Sequence, residues 1–247
     1  MSFSGNIVPG EKSTEQVAGM FNSIAGKYDF LNHFLSLHID KIWRKKAIQF
    51  LRSSSPQKIL DIATGTGDLA IASLRLKPLK VVGIDISEKM LQIGKEKVSK
   101  IPYGNKIEFV LAQAEKIPFE ENSFDAVISG FGVRNFSDLK EGLREANRVL
   151  KPGGPLVILE FSKPSSYVAG TLYKFYFSKI LPLLGGWISG DRNAYVYLPQ
   201  SVKIFPEGKE FLAIMRDAGF KECSLQRLTF GICTIYRGYK MLKQPMQ

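Results

Sequence analysis

The chain has 247 residues, 45% of them hydrophobic and 23% charged, which suits one sizeable α/β domain and leaves little room for two. Its two cysteines, Cys223 and Cys233, exclude a disulfide scaffold, and together with His33 and His38 they have no metal-site spacing, so no metal is expected. The formal net charge of +11 indicates an anionic partner (nucleic acid, a phospholipid surface or an acidic substrate) or a basic surface without a specific partner.

The first fifty residues are predicted to be mainly helical. Thr14 is placed to cap a helix whose apolar residues recur at helical spacing from Val17 to Ile24, and a second helix is expected from about Asp40, so that helices occupy 14–52. The N-terminus has no basic region followed by an apolar run, which predicts no secretory signal and a cytoplasmic protein.

Short apolar runs then alternate with amphipathic segments. Continuous apolar runs of this length are typical of parallel strands that are buried on both faces. The predicted strands are 58–63, 80–85, 106–111, 124–129 and 156–160. Helices are predicted at 67–76, after the capping residue Ser87, and at 137–150. The alternation predicts an α/β fold with a doubly wound, mostly parallel sheet, whose cofactor-binding core is 58–161.

Residues 162–205 break this alternation with a concentration of aromatic side chains. They include Tyr167, Tyr173, Phe175, Tyr176, Phe177, Trp187, Tyr195 and Tyr197. Lys174, Lys179 and Pro182 interrupt the apolar stretch, so it is not a transmembrane span. The segment is predicted to form a lid of helices and loops, although aromatic residues also fill ordinary cores.

The remaining segment, 206–240, is expected to complete a single domain that spans 1–247. A helix is predicted at 206–219, and two strands at 221–229 and 232–240 are separated by Gly231. The strand pair is predicted to form an antiparallel edge of the sheet.

The segment from Asp61 to Asp68, Asp-Ile-Ala-Thr-Gly-Thr-Gly-Asp, joins the first predicted strand to a helix. Gly65 and Gly67 followed by Ala70 match a dinucleotide-binding pattern, which indicates only that backbone approaches a ligand closely. A pyrophosphate needs a bare, positive helix N-terminus, and Asp68 would repel it there. With the second charge of Asp61, the loop favours an aminoacyl group that carries an ammonium beside a sulfonium, as in S-adenosylmethionine.

The ends of the next two strands add polar candidates. Asp85 ends the second strand, where a carboxylate can accept both ribose hydroxyls of NAD or of S-adenosylmethionine. Gln113, Ala114 and Glu115 follow the third strand, where an adenine ring is expected. The alternative is a chance strand–turn–helix with surface acids.

Six further stretches carry a closer likeness. They are 21–29, 43–44, 131–135 (Phe-Gly-Val-Arg-Asn), 159–164, 201–206 and 231–240. With the glycine loop and the Lys-Pro-Gly-Gly of 151–154, they resemble the ubiquinone/menaquinone biosynthesis C-methyltransferase family over about residues 15–240. The resemblance implies a class I methyltransferase (Rossmann-like) fold, S-adenosylmethionine as cofactor, and methyl transfer to a ring carbon of a prenylated quinol, either demethylmenaquinol or a polyprenyl-methoxybenzoquinol.

The resemblance also implies cofactor contacts at Thr66, Asp85, Gln113 and Ala114. Gln113 stands where asparagine is common, which keeps a hydrogen bond, and Gly130 stands where some members have a serine contact. The expected cofactor-binding residues are Asp61, Gly65, Thr66, Gly67, Asp85, Ile86, Gln113, Ala114 and Gly130.

Four residues are candidates for the substrate side. Arg134 follows the fourth strand, at the carboxyl edge where ligands bind, and its guanidinium could stabilise a developing phenolate or hold the water that takes the proton. Its alternative role is a salt bridge that orders the loop. Tyr28, Asp29 and Asn135 are further candidates, and Tyr28 could instead close the N-terminal helix over the cofactor.

A prenylated substrate would need an apolar exit, which 162–205 and the N-terminal helices could supply. The positive charge would then favour peripheral contact with anionic lipid at the inner face of a membrane. Nucleic acid is not expected, because methylases of base amino groups usually carry an Asn/Asp-Pro-Pro-aromatic turn where this chain has 129–135. A non-catalytic binding module and an NAD oxidoreductase remain alternatives, and an oligomer is left open.

Overall fold

Seven strands form one sheet in the order β3-β2-β1-β4-β5-β7-β6 in the computed structural model, which describes residues 13–36, 38–164 and 192–242. The strands are β1 Lys58–Ile62, β2 Lys80–Asp85, β3 Ile107–Leu111, β4 Ala126–Gly130, β5 Pro155–Phe161, β6 Phe220–Leu228 and β7 Cys233–Lys240. β1 to β5 pair in parallel, whereas β7 is antiparallel to both β5 and β6. The predicted sheet and its antiparallel edge are confirmed.

Seven helices are described. They are α1 Thr14–Leu35, α2 Ile39–Gln49, α3 Asp68–Ser73, α4 Glu88–Val98, α5 Leu139–Val149, α6 Arg192–Ile204 and α7 Lys209–Asp217. The predicted helix at 67–76 is shorter than expected, because α3 gives way to a 3-10 turn at Leu74–Leu76. The predicted strand at 124–129 starts two residues late, at Ala126.

The cap of α1 differs from the predicted one. Ser13 Oγ accepts a hydrogen bond from the Gln16 amide at 3.3 Å, and Gln16 Oε1 accepts one from the Ser13 amide at 3.1 Å. This reciprocal pair satisfies two amides that a helix start leaves without partners. Thr14 instead donates from its hydroxyl to Ser137 Oγ, at 3.3 Å. The cap of α4 is as predicted, since Ser87 Oγ accepts from the amide of Met90.

The two faces of the sheet support separate apolar clusters. Successive side chains of a strand point to opposite faces. Leu60 and Ile62 accordingly join the cluster under α5 and α7, whereas Ile59 joins the one under α2, α3 and α4. The odd-numbered residues of β1 therefore face α2, which places the side chain of Asp61 on that side.

Most of the predicted lid lies outside the described residues. Tyr167, Tyr173, Phe175, Tyr176, Phe177 and Trp187 belong to that part. Within the described part, α6 occupies the end of the predicted lid, and Tyr197 in it is buried. The single domain and its lid stay predictions. In the described parts of the chain, every helix is too short or too polar to cross a membrane.

Candidate active site

A cavity lies at the carboxyl ends of the central strands. The loop after β1 forms its floor from Ala63 to Thr66, and the ends of β2 and β4 form its sides. One face of α1 covers it with Val17, Phe21 and Tyr28. This is the edge at which open α/β sheets bind ligands.

The loop after β1 is held in shape by its glycines and by β2. Gly65 and Gly67 have φ of 57° and 86°, a region that glycine enters at little cost. A Cβ on Gly67 would lie 2.7 Å from the ring of Phe109, so the loop requires glycine there for packing as well. The Gly65 amide donates to Asp85 Oδ2 at 2.8 Å, which joins the two strand ends.

Asp61 is a fully buried carboxylate in the cavity wall. Its Oδ2 accepts a 2.6 Å hydrogen bond from the Thr64 hydroxyl, whereas Oδ1 has no partner among the described residues. Burial raises the pKa of Asp61 to about 7, although the bond from Thr64 lowers it. A buried oxygen without a partner is costly, and the ammonium of S-adenosylmethionine would satisfy it. The wall therefore fits the predicted cofactor.

Asp85 holds the loop after β1 and has remaining capacity to accept hydrogen bonds. Its Oδ1 accepts from the Ser87 amide at 2.8 Å, and its Oδ2 accepts from Gly65. Burial raises the pKa of Asp85, while these amide bonds lower it. Each carboxylate oxygen has a further lone pair, so Asp85 can fix the loop and still accept hydroxyls from a ribose.

Asp68 does not offer the uncompensated charge that the sequence suggested. Its Oδ2 lies 3.2 Å from an Arg44 nitrogen, and its Oδ1 pairs with the ammonium of Lys97. Because both of its oxygens meet a cation, Asp68 is a poor partner for a ligand ammonium. Of the two acids, Asp61 is the one with a carboxylate oxygen that has no partner among the described residues, so the expected pairing with an ammonium stays a prediction for Asp61.

Three residues of α1 attach the helix across the cavity through polar contacts. Asp29 accepts from the Thr66 hydroxyl at 2.5 Å and from Lys97 at 2.7 Å. Asn22 accepts from the Ser87 hydroxyl at 2.8 Å. The contact of Thr14 with Ser137 completes the set. Helix α1 is therefore bonded to the loops that follow β1, β2 and β4.

Most of the expected residues meet at this cavity. Asp61, Gly65, Thr66, Asp85, Ile86, Ala114, Gly130, Tyr28 and Asn135 line it. Gly67 stands behind the lining, where its conformation shapes the loop. Gln113 and Arg134 are also outside the described lining.

Gln113 is placed differently from the prediction. Its side chain is exposed, and its backbone bridges to Lys116. Ala112 and Ala114 line the cavity at this point instead. Glu115 lines it too, whereas the Gln113 side chain is outside the described lining, so its hydrogen bond to an adenine stays a prediction.

Arg134 is buried in a salt bridge, which was its alternative role. Its Nη1 lies 2.7 Å from Glu160 Oε1 and also donates to the carbonyl of Phe131, and its Nε donates to Ser201 Oγ at 3.3 Å. The guanidinium lies over the ring of Phe161, 5.5 Å from its centre. Arg134 therefore orders the loop after β4 and presents Asn135 to the cavity.

Two residues of the site were missed. Glu160 is a fully buried acid near the end of β5, and it was hidden inside an apolar run. Arg44 lines the cavity from α2. Its signal was present, since it interrupts an apolar stripe of Trp43, Ala47 and Ile48 that faces the core.

Comparisons with known proteins agree with this geometry. The model of the ubiE/COQ5 methyltransferase family matches residues 10–240. The chain is a member of that family. A demethylmenaquinone methyltransferase of Bacteroides fragilis is 47% identical over 230 residues, which are 93% of this chain and 94% of the relative. A ubiquinone/menaquinone biosynthesis C-methyltransferase, UbiE, of Geobacter sulfurreducens is 46% identical over 231 residues, 93% of this chain and 90% of that one.

The fold also matches solved structures. An S-adenosylmethionine-dependent methyltransferase from Thermotoga maritima superposes with a TM-score of 0.64 at 21% identity, covering 91% of this chain and 99% of the other. At that identity the likeness establishes the fold alone. The ubiE/COQ5 family member thus has the class I methyltransferase fold that the resemblance implied, and it is an S-adenosylmethionine-dependent enzyme.

Proposed function

We propose that this family member transfers a methyl group from S-adenosylmethionine to a ring carbon of a prenylated quinol, with demethylmenaquinol as the substrate. The supporting observation is the near full-length identity to the Bacteroides fragilis demethylmenaquinone methyltransferase, in a chain whose cavity fits the methyl donor. The second candidate is a polyprenyl-methoxybenzoquinol, because the Geobacter sulfurreducens relative is named for both quinone pathways.

The methyl donor supplies an already activated sulfonium methyl group. The protein must align it with the nucleophilic carbon and keep water away. In this role Asp61 would hold the donor's ammonium, Asp85 would accept the ribose hydroxyls, and Ala114 and Ile86 would contact the adenine. Helix α1 excludes water with apolar side chains from Val17 to Phe21.

The substrate side is assigned to the loop after β4. The ring carbon becomes nucleophilic as the adjacent hydroxyl loses its proton, so donors near that oxygen stabilise the transition state. Asn135 lines the cavity, and its Oδ1 accepts from the Tyr197 hydroxyl at 3.1 Å, which leaves its amide nitrogen as the candidate donor to the quinol oxygen. Arg134 acts through this loop as a positioning residue, and Tyr28 packs against the donor from α1.

Exposed apolar side chains at the same edge support peripheral membrane contact as part of the proposal. Phe230 is 75% exposed at the turn between β6 and β7, and Ile42 is 55% exposed on α2. The Trp43 indole donates to Thr229 at 2.7 Å and joins the two elements. We call this the tip surface, and it also includes the exposed lysines of α2, which are Lys41, Lys45 and Lys46.

Two residues of the tip surface have an unfavourable backbone conformation. Thr229 and Phe230 have φ of 47° and 55°, a left-handed region that costs roughly 1–2 kcal/mol per non-glycine residue. This backbone holds an aromatic ring out beyond the end of β5, since Cys233 pairs with Phe161. An aromatic ring beside lysines suits an anionic lipid surface. We propose that the enzyme meets its prenylated substrate there, at the cytoplasmic face of a membrane.

Methyl-transfer assays on both prenylated quinols test the proposal. Purified protein is incubated with S-adenosylmethionine and reduced demethylmenaquinol or reduced polyprenyl-methoxybenzoquinol, and the products are identified by mass spectrometry. Methylation of the naphthoquinol at the higher kcat/KM is expected. Methylation of a structured RNA with neither quinol turned over would overturn the proposal, as would binding of NADH without binding of S-adenosylhomocysteine in calorimetry.

A further inference from the structure

One basic side chain lies in a cavity wall whose other charged side chains, among the described residues, are acidic. Arg44 lies on α2, and its side chain is 10% exposed. Its Nη1 pairs with Asp40, its Nη2 lies 3.2 Å from Asp68, and its guanidinium lies 5.6 Å from the centre of the Phe131 ring. Among the described residues that line the cavity, Arg44 is the one cation, beside Asp61, Asp68, Asp85 and Glu115.

Arg44 can serve a ligand while it keeps both ion pairs. A guanidinium has five N–H groups and stays charged. The pairs with Asp40 and Asp68 engage one N–H on each terminal nitrogen. They also hold the planar group at a fixed angle in the wall, which removes the entropy cost of ordering it when a ligand arrives.

Arg44 is also close to Asp61. The odd-numbered residues of β1 point toward α2, and the charge of Arg44 lowers the otherwise raised pKa of Asp61. The methyl donor carries its ammonium and its carboxylate on one carbon atom. If Asp61 accepts the ammonium, the carboxylate must lie within a few ångströms of Asp61, in a wall where the other charged side chains repel it.

We infer that Arg44 binds the methionyl carboxylate of the methyl donor, so that Arg44 and Asp61 together recognise its α-amino acid group. Charge-assisted hydrogen bonds from a guanidinium to a carboxylate are among the stronger polar contacts. Two opposite charges at fixed positions also fix the orientation of the aminoacyl chain, and with it the direction of the methyl group. The inference concerns the donor, and it holds for either quinol.

The test compares two ligands that differ in one group. S-adenosylhomocysteine carries the carboxylate, and its decarboxylated analogue keeps the amine, the sulfur and the adenosine. Calorimetry is run on the wild type and on Arg44→Met. We expect the wild type to bind S-adenosylhomocysteine at least about tenfold more tightly than the analogue. Arg44→Met is expected to abolish this preference while its affinity for the analogue changes less than about twofold.

Lys97→Met is the matched control. Lys97 also pairs with Asp68, but it is outside the described lining of the cavity. We expect this variant to keep the wild-type preference for the carboxylate. An Arg44→Met protein that keeps the preference, or that loses both ligands equally, contradicts the inference.

A measurement on the unmutated protein decides the case if Arg44→Met does not fold. The carboxamide of S-adenosylhomocysteine has nearly the same shape without the negative charge. We expect the wild type to bind it at least about tenfold more weakly than the acid. Equal affinities for the two would overturn the assignment of Arg44.

Discussion

Two buried acids occupy equivalent places on two strands of the sheet, but they differ in how many hydrogen-bond partners their oxygens have. Asp61 and Glu160 are each the last residue but one of a parallel strand, and both are fully buried. Glu160 is met by the Arg134 guanidinium at 2.7 Å, the Phe161 amide at 2.8 Å and the Arg134 amide at 3.3 Å. Asp61 keeps one oxygen without a partner in the described residues. A buried acid whose oxygens are hydrogen-bonded maintains the shape of the site, whereas one with an unpartnered oxygen is suited to pair with a cationic group.

The largest expected effect follows from breaking the satisfied pair. Glu160→Gln leaves the Arg134 guanidinium buried without its counter-charge, which costs about 3–5 kcal/mol of stability. Urea denaturation measures the free energy of unfolding. The double variant Glu160→Gln, Arg134→Met removes both charges and is expected to recover much of the loss. A loss below about 1 kcal/mol in the single variant would show that the pair is not needed for stability.

Asp61→Asn is expected to act on the ligand and not on the fold. Asparagine keeps the shape and can still accept from Thr64, but it cannot pair with an ammonium. Affinity for S-adenosylhomocysteine should fall about tenfold to hundredfold. The free energy of unfolding at pH 8 should stay equal or rise, because a buried charge is removed. If Asp61→Asn unfolds more easily but binds S-adenosylhomocysteine normally, Asp61 has a structural role like that of Glu160, which contradicts the contrast between the two acids.

The pH dependence of ligand binding tests whether Asp61 acts on the ligand, because binding and stability should change in opposite directions with pH. Burial raises the pKa of Asp61 from 3.8 to about 7. Between pH 4 and 7, roughly, the folded chain holds a proton that the unfolded chain has lost, so the contribution of Asp61 to stability falls as the pH rises through this window. Ligand binding changes in the opposite direction, because the ammonium needs the ionised form. Affinity should rise by up to about tenfold per pH unit below pH 7 and level off above it. Asp61→Asn is the control, and its affinity should be flat across this range.

The smallest expected effect concerns the two ends of the sheet. Phe230 and Tyr103 are both exposed aromatic residues with left-handed backbone, but Phe230 lies at the cavity edge and Tyr103 precedes β3 at the opposite edge. Phe230→Ser should weaken binding to vesicles of anionic lipid about fivefold at low salt, and Tyr103→Ser should leave it unchanged. Co-sedimentation measures both. Equal losses in the two variants, or no binding by the wild type, would remove the tip surface from the proposed function.

Sequence periodicity correctly predicted the features that depend on neighbouring residues, which are the strands, the helices and the residues at the strand ends. The alternation of strands and helices predicted the sheet, and the ends of β1 and β2 predicted that Asp61 and Asp85 lie at the cavity, where the structure has them. The errors arise where distant residues meet. Asp68 is neutralised by Arg44 and Lys97, which are far from it in the sequence.

The side-chain direction of Gln113 depends on how the chain turns after β3, and that turn has no periodicity to predict it.

Arg134 illustrates a related limit. Its position after β4 was correctly placed at the carboxyl edge, but its partner Glu160 lies on the next strand, 26 residues away. An apolar run of β5 contains that acid, so strand patterning alone gave no reason to pair the two.

The attachments of α1 have a kinetic consequence. Asp29, Asn22 and Thr14 bind side chains on three different loops along one continuous helix. A rigid helix cannot leave one of these loops by the full width of a nucleoside while it stays on the other two. Entry and exit of a ligand past α1 are therefore expected to require all three contacts to break together.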